Sequence, residues 1–333
     1  MRRAPILKRV RSGLPAFEPK AETFGAVTAS WLTQHVDANG LRSAKEIRRL
    51  LNAHVLPVWK DREFTAIRRS DCAALLDEVE DRHSPRQADY VLNVVRSIMN
   101  WATMRRDDNS PPVARGMKRQ KTAARARVLD DGELRGVWRA AESQEGAFGA
   151  IVRLCLMTAQ RSRKVAAMKW ADVEDGVWVV PKELREKDTG GALTLPGTAL
   201  AIIGEQPRLA ANPYVFPARG RSGPFCGFGS AKEAFDAKLP KGTPPWTIHD
   251  LRRTARSLMS RAGVSSEHAE RVMGHAIGGV EGIYDRRHFR PEKADALKRL
   301  AALIEAIVQP RSADVLPMKR KAATRNEEAR RQA

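Results

Sequence analysis

The sequence predicts a mainly helical protein of two domains, with a small β-hairpin or sheet in the second domain. Its 333 residues are enough for two ordinary domains, and a hydrophobic fraction of 42% supports a core in each. Apolar residues recur at helical three- and four-residue steps on both sides of a basic stretch that lacks such periodicity. The β-like runs "VWVVP" (177–181) and "ALTLP" (192–196) flank a polar stretch that ends in "TGG". The predicted class is therefore α for the first domain and mixed α/β for the second.

The charge of the chain predicts a polyanionic partner. The formal net charge is +20, which exceeds what solubility requires, and nucleic acid is the simplest partner, with a membrane surface as the rival. No apolar run approaches the roughly 20 residues of a membrane-spanning helix. The cysteines Cys72, Cys155 and Cys226 lack metal-ligand spacing, and no phosphate-binding glycine loop is present. We therefore expect reduced, buried thiols in a cytoplasmic protein, with no metal, nucleotide or other cofactor.

The first domain, residues 21–106, is predicted to be wholly helical and to follow a basic arm, residues 1–20. Its last helix has the clearest start, because Ser84 suits the N-cap, Pro85 the first helical position and Gln87 a capping box. Four helices are predicted. The first starts at Thr23, the second covers 47–54 and is ended by Pro57, the third covers 70–79, and the fourth starts at Ser84.

A basic linker, residues 107–128, is predicted between the domains. It contains a Pro pair, and between positions 115 and 127 it has six basic residues and no acidic one. Such a run is usually a solvated linker, but in so basic a chain we also expect it to touch DNA backbone. The candidates are Arg115, Lys118, Arg119, Lys121, Arg125 and Arg127.

The second domain, residues 129–310, is predicted to open with a capping box of Asp130 and Glu133, with Leu129 and Leu134 as a hydrophobic staple. The predicted elements after it are a helix over 148–157, the hairpin, helices to about Val308, and a charged tail over 311–333.

Several polar residues of the second domain could act on a phosphate. His249 and Arg252 are three apart on a predicted helix and share a face, where a cation and an imidazole can hold an oxygen and move a proton. Arg161 offers a second fork-shaped donor, and Lys187 in the hairpin could protonate a leaving oxygen. Each alone is more often a solvated surface residue.

The order of the candidates is more specific than any one of them. Along the chain they are Arg161, Lys187, His249, Arg252, His275 and Tyr284. This order resembles the tyrosine recombinase, or phage integrase, family. The segment "GHAIGGVEGIYDRRHF" looks most like integrases of prophages and integrative elements, and "TFGAVTASWL" and "SIMNWAT" are similar to the family's core-binding domain, so the likeness spans about residues 22–308.

The resemblance implies a covalent mechanism. Tyr284 would attack the scissile phosphate and form a 3′-phosphotyrosyl link, His249 would assist it as a base, and Lys187 would protonate the departing 5′-oxygen. Because a free phenol has a pKa near 10, the nucleophile needs such help.

The resemblance assigns the remaining residues to the phosphate. Arg161 and Arg252 would stabilise its non-bridging oxygens in the transition state, and His275 would hydrogen-bond to it. The covalent link conserves the bond energy, so the resemblance implies neither ATP nor a metal.

The resemblance also implies an assembly. The two domains would close as a clamp around double-stranded DNA attachment sites, and a homotetramer would synapse two sites and exchange strands through a Holliday junction. Accessory excision or DNA-bending proteins are further possible partners. The helix over 292–308 could dock on a neighbouring protomer or pack on its own domain.

The chain departs from the family pattern at four places. It has Ala159 where the family usually has Gly, Lys164 where it usually has a Glu that braces the site, and Ala192 near a common histidine position. Many integrases of this type have a full arm-binding domain ahead of the core-binding domain, but only about twenty residues precede it here. Either arm-site binding is not expected, or the chain is a shortened form.

Three rival functions remain open from the sequence. A non-catalytic DNA-binding relative would explain Lys164, a type IB topoisomerase would use the same chemistry without synapsis, and a basic scaffold protein would not need Tyr284.

Overall fold

The computed structural model describes residues 22–106, 111–120, 125–182, 191–220, 222–275 and 289–310. Two compact units divide the chain between Ala124 and Arg125. Among the described residues, no helix is long and apolar enough to cross a membrane.

The first unit is helical throughout its described elements. Two stretches with π-helical hydrogen bonding, Leu32–Asp37 and Leu51–Val55, extend the helices before them. The α-helices are α1 (Phe24–Trp31), α2 (Ala44–Leu50), α3 (Leu56–Trp59), α4 (Arg69–Arg82) and α5 (Pro85–Thr103). Their core includes Phe24, whose ring meets the edge of Trp59 with ring centroids 5.3 Å apart.

The prediction that Pro57 ends the second helix is wrong, because the chain stays helical to Trp59. Pro57 lies in the first turn of α3, directly after the π-helical stretch Leu51–Val55. A proline in a first turn removes no intrahelical hydrogen bond, since the amide groups there have no helical acceptor.

The start of α5 matches the predicted N-cap. Ser84 Oγ accepts a hydrogen bond from Gln87 N at 3.2 Å. The Gln87 side chain, predicted to return to Ser84, instead lies 3.2 Å from His54 Nε2. The buried residues of α5 follow the predicted apolar stripe and include Val91, Val94, Val95, Ile98 and Ala102.

The second unit combines helices with a small sheet. The helices are α6 (Asp131–Glu142), α7 (Ala147–Thr158), α8 (Ser162–Ala166), α9 (Gly197–Gly204), α10 (Phe228–Asp236), α11 (Ile248–Arg261), α12 (Ser266–Met273) and α13 (Arg290–Val308). The strands are β1 (Val173–Glu174), β2 (Val177–Val180) and β3 (Gly191–Thr194). They pair antiparallel in the order β1-β2-β3, and Trp178 faces Leu193, so the predicted hairpin is confirmed.

The predicted capping box of α6 is confirmed. Glu133 N donates to Asp130 Oδ1 at 2.8 Å, and Asp130 N donates to Glu133 Oε2 at 2.9 Å. Leu129 and Leu134 are both buried beside it. This box fixes where the second unit begins.

Helix α7 is the centre of the second core. It packs against α6, α9 and α11, and its residues from Phe148 to Thr158 are buried except Arg153. Helix α13 packs on its own unit, against α6, α11, α12 and β3, and buries one apolar face there.

The cysteines only partly follow the prediction of buried thiols. Burial raises the pKa of Cys72 to about 11 and that of Cys155 to about 12, so neither is a reactive thiolate. Cys226 is exposed, which makes the prediction wrong for this residue.

We expect Gly149→Ala to destabilise the second unit. A Cβ on Gly149 would lie 2.1 Å from the backbone oxygen of Ala141, so α6 and α7 would have to separate. Overpacking of this kind costs roughly 1–3 kcal/mol or more, measurable as a loss of unfolding free energy in denaturant. Gly204→Ala is the matched control, because its Cβ meets open space and the change should be neutral or stabilising. Equal stability of both variants would contradict the close helix contact.

Candidate active site

The candidate site is built around the start of α11. Thr247 is its N-cap, and Asp250 at the third helical position accepts from Thr247 N at 2.8 Å. This box fixes the first turn, which carries His249 and, one turn on, Arg252. The exposed His249 and the buried Arg252 therefore start from one rigid segment.

Arg252 is a buried cation, only 3% exposed, that joins three helices. Its Nη1 donates to the carbonyl of Ala159 at 2.6 Å, and its Nη2 donates to the carbonyl of Met273 at 2.7 Å. These carbonyls lie at the C-terminal ends of α7 and α12, where helix dipoles favour a positive charge. Nη2 also lies 3.0 Å from His275 Nε2.

Ala159 reaches Arg252 through an uncommon backbone conformation. It is fully buried and adopts the left-handed region, with φ 54°, at the end of α7. A side chain there costs roughly 1–2 kcal/mol relative to glycine, which explains why a glycine would be favoured at this position. In this conformation the carbonyl of Ala159 contacts Arg252, so the turn itself supplies an acceptor to the site.

His275 is held between a cation and a carboxylate. Gly274, with φ 72°, ends α12 and places the ring, and His275 Nδ1 lies 2.5 Å from Glu270 Oε2. Because Arg252 can only donate, Nε2 is the acceptor and the proton of the neutral ring sits on Nδ1, toward Glu270.

Glu270 is a functional residue that sequence reasoning missed. Its other oxygen accepts from Arg256 Nε at 2.8 Å. Burial opposes ionisation of Glu270, but the hydrogen bonds from Arg256 and His275 outweigh it and hold the pKa of this carboxyl below its usual value. A lasting negative charge therefore faces His275 Nδ1.

Asp250 is a second missed residue, and its side chain is fully buried. It accepts from Arg125 Nε at 2.9 Å and from Arg253 Nη1 at 2.6 Å. Burial alone would raise its pKa, but the bonds from Thr247, Arg125 and Arg253 together lower it. The signal in the sequence was the Thr-x-x-Asp spacing of a capping box.

Arg161 reaches the same neighbourhood from α8. It is the N-cap of this helix, and its carbonyl accepts from Lys164 N at 2.8 Å. The positive charge of Arg161 contributes to the electrostatic environment of His249. Loss of solvent around His249 and the charges of Arg253, Arg252 and Arg161 lower the pKa of its imidazole, against the opposing effect of Asp250.

The structure thus brings together four of the six predicted catalytic residues, Arg161, His249, Arg252 and His275. Lys187 and Tyr284 lie outside the described residues. Within the described ranges, no group of three or more His, Cys, Asp and Glu side chains is placed to hold a metal ion. What the site offers a ligand is positive charge and N–H donors, which suit a phosphate.

Three of the linker cations predicted to contact DNA are paired with carboxylates of their own unit. Arg119 pairs with Asp77 and Glu80 and donates to the carbonyl of Ala73 at 3.2 Å. In the second unit, Arg125 pairs with Asp250 and Arg127 pairs with Glu133.

The other three linker cations are not seen in such ion pairs among the described residues. Arg115 and Lys118 are exposed, and among the described residues neither has a carboxylate partner. Lys121 lies outside the described residues.

Two family models match adjacent parts of the chain. The phage integrase central domain matches residues 24–118, and the phage integrase family matches residues 127–289. Each match falls within one compact unit, and together they cover most of the chain. The chain belongs to the phage integrase family of tyrosine recombinases. This confirms the predicted family and the predicted function class, a site-specific DNA recombinase of the integrase type.

Individual members are distant in sequence. Prophage integrase IntZ of Escherichia coli strain K12 is 23% identical over 296 residues, which are 86% of this chain and 72% of that protein. A lambda integrase tetramer bound to a Holliday junction has a TM-score of 0.57 at 18% identity, covering 86% of this chain and 90% of that chain.

The Tn1549 transposon integrase in complex with transposon right end DNA has a TM-score of 0.62 at 12% identity, covering 84% of this chain and 100% of that chain. These likenesses confirm the predicted fold class of this integrase.

We expect the imidazole of His249 to titrate below the ordinary histidine value of about 6.5, because loss of solvent and then nearby cations disfavour its charged form and lower its pKa. Arg253→Gln should raise this pKa, since it removes a positive charge and leaves Asp250 less neutralised. Histidine NMR titration of ¹³C-labelled protein measures the pKa of His249 in wild type and in Arg253→Gln.

Arg261→Gln is the control, because Arg261 is on the same helix but pairs with Asp131. An unchanged pKa of His249 in Arg253→Gln would contradict the arrangement of charges around the ring.

Proposed function

We propose that this integrase cuts and rejoins DNA through a covalent link to Tyr284, with Arg161, Lys187, His249, Arg252 and His275 as the other catalytic residues. The observation that carries the proposal is the contact of buried Arg252 with His275. Loss of solvent and the charges of Arg253, Arg252 and Arg161 lower the pKa of His249 in the same neighbourhood. A phosphate in transfer develops negative charge on its oxygens, and preorganised cationic donors stabilise that charge.

The cleavage step moves two protons. The phenol oxygen of Tyr284 forms a bond to phosphorus while the bond from phosphorus to the 5′-oxygen breaks, and a 3′-phosphotyrosyl link results. His249 accepts the phenol proton, because a lowered pKa leaves its imidazole neutral and able to act as a base near pH 7. Lys187 donates a proton to the departing 5′-oxygen.

Rejoining reverses these transfers. A 5′-hydroxyl attacks the phosphotyrosine, Tyr284 leaves, and one phosphodiester replaces another. Because the number of phosphodiester bonds is conserved, we propose that neither ATP nor a metal takes part.

Glu270 and Asp250 serve this site indirectly. Glu270 fixes the ring of His275 through its contact with Nδ1, which leaves Nε2 on the side of Arg252. Asp250 holds the first turn of α11 and with it His249.

We further propose that the partners are double-stranded DNA attachment sites and three more copies of this chain, with accessory excision or DNA-bending proteins, in the cytoplasm at the bacterial nucleoid. Support comes from the net charge of +20 and from the related lambda integrase tetramer on a Holliday junction.

Covalent trapping tests the nucleophile. Wild type and Tyr284→Phe are expressed with the DNA that flanks the gene, and cells are lysed in strong detergent. We expect DNA-linked protein from wild type only, with the link mapped to Tyr284 by mass spectrometry and the site read by sequencing the attached DNA.

Tyr90→Phe is the matched control, because Tyr90 is an exposed tyrosine of α5 and its loss should leave the adduct intact. No adduct from wild type on a nicked substrate, despite salt-sensitive DNA binding, would favour a non-catalytic relative. Relaxation of any supercoiled plasmid regardless of sequence would favour a topoisomerase.

The linker provides a separate prediction on binding. We propose that Arg115 and Lys118 contact DNA phosphates, since both are exposed, whereas Arg119, Arg125 and Arg127 serve carboxylates of their own unit. Arg115→Ala and Lys118→Ala should each reduce the slope of log affinity against log salt by about 1. Arg115→Lys and Lys118→Arg, which keep the charge, should leave the slope unchanged. An unchanged slope in both alanine variants would contradict these contacts.

A further inference from the structure

Lys164 occupies the position where the family pattern has a bracing glutamate, and the structure gives it a specific partner. Its side chain is almost fully buried, with the residue 6% exposed, and Nζ donates to the carbonyl of Pro181 at 2.6 Å. Lysine is rarely buried without a polar partner, and a hydrogen bond from an ammonium group to a carbonyl is charge-assisted. This is therefore a built contact between α8 and the residue that follows β2.

The contact lies at the end of β2, where the connection to β3 begins. Val180 and Gly191 face each other as the last described pair of β2 and β3, and Pro181 comes directly after that pair. Proline has no N–H, so the carbonyl is the only backbone hydrogen-bonding group of Pro181. It accepts from Lys164 Nζ just after the paired part of β2. The segment between Pro181 and Gly191 contains Lys187, the proposed proton donor.

The other end of the contact is equally well fixed. Lys164 sits in α8, whose N-cap is Arg161, and the backbone N of Lys164 donates to the carbonyl of Arg161 at 2.8 Å. A change of the Lys164 side chain leaves this backbone bond in place. The side-chain contact itself is made with the carbonyl of Pro181, directly after β2.

We propose that Lys164 is a positioning residue, which anchors the end of β2 where the β2–β3 connection begins, so that Lys187 can protonate the leaving 5′-oxygen. The inference rests on the proposed function and adds a residue to it. It also reverses the expectation from the family pattern. A glutamate at this position would set a carboxylate against the carbonyl of Pro181, two acceptors without a proton between them, so Lys164→Glu should impair this chain rather than restore it.

The test separates proton donation from all other steps. The substrate is a nicked duplex that carries the site recovered by trapping, made either with the normal 5′-oxygen or with sulfur in its place at the scissile bond. A thiolate leaves without being protonated, because a thiol has a pKa of about 8.5, far below that of an alcohol. Adduct formation is measured for wild type, Lys164→Met, Lys164→Arg and Lys164→Glu.

We expect Lys164→Met to form adduct about 10- to 100-fold more slowly on the oxygen substrate, as misplacement of a catalytic group does. On the sulfur substrate its rate should approach that of wild type. Lys164→Arg, which keeps a charged donor, should recover part of the oxygen rate, and Lys164→Glu should recover none. Equal losses on both substrates, no loss at all, or a gain in Lys164→Glu would each overturn the proposal.

Lys238→Met is the matched control. Lys238 also donates from Nζ to a carbonyl, that of Ser143 at 3.3 Å, but on an exposed surface away from α8. Its loss should change neither rate.

A second measurement does not depend on catalysis. Hydrogen exchange, followed by mass spectrometry on the intact chain, should be faster in Lys164→Met for amides of residues 182–194 and unchanged in α5 of the first unit. Unchanged exchange in the hairpin would overturn the proposal even if the chain proved inactive. Failure of wild type to form adduct on either substrate, with faster hairpin exchange in the variant, would instead reject the proposed function and keep the anchor. If Lys164→Met does not fold, Lys164→Gln takes its place in both measurements. Because glutamine keeps a neutral donor, its loss of oxygen rate and its rise in exchange should have the same direction and be smaller.

Discussion

The second unit depends on one buried cation. Arg252 sits among apolar helices with 3% exposure and bonds the carbonyls that end α7 and α12. A buried guanidinium is costly unless its N–H groups find acceptors, so these helices must end where they supply them. Because His275 bonds the same Nη2, the packing of three helices and the placement of the proposed phosphate-binding groups are one constraint. A change that moves the guanidinium would disturb stability and the site together.

Features set by neighbours in sequence could be predicted well. The N-cap Ser84, the box of Asp130 and Glu133, and the pairing of β2 with β3 depend on residues within a few positions or across one turn, and all three are found. The rule that proline ends a helix failed at Pro57, because it assumes uninterrupted α-helical bonding and the preceding turn is π-helical. The exposure of Cys226 could not be predicted, since it depends on a loop without periodicity.

The candidate site also has a part that the sequence predicts and a part that only the structure shows. The order of Arg161, His249, Arg252 and His275 could be recognised in the sequence. The two carboxylates of the site, Glu270 and Asp250, and their partners could not. Glu270 meets Arg256 from another helix, and Asp250 meets Arg125 from a distance of 125 residues along the chain. Charge counting in the linker also does not reveal local pairing, because Asp77 and Glu80 of α4 form ion pairs with Arg119.

The turn from α7 into α8 holds two of the departures from the family pattern, Ala159 and Lys164. Ala159 pays for a left-handed backbone, yet its carbonyl bonds Arg252, which offsets the strain. Lys164 reverses the charge of the usual glutamate, and its partner is a carbonyl, which only a donor can satisfy. Decay of an active site would leave a buried charge facing unsuitable neighbours, at a cost of several kcal/mol. Since each altered residue is matched to its surroundings, the departures are consistent with the proposed function, with an altered brace around the proposed site.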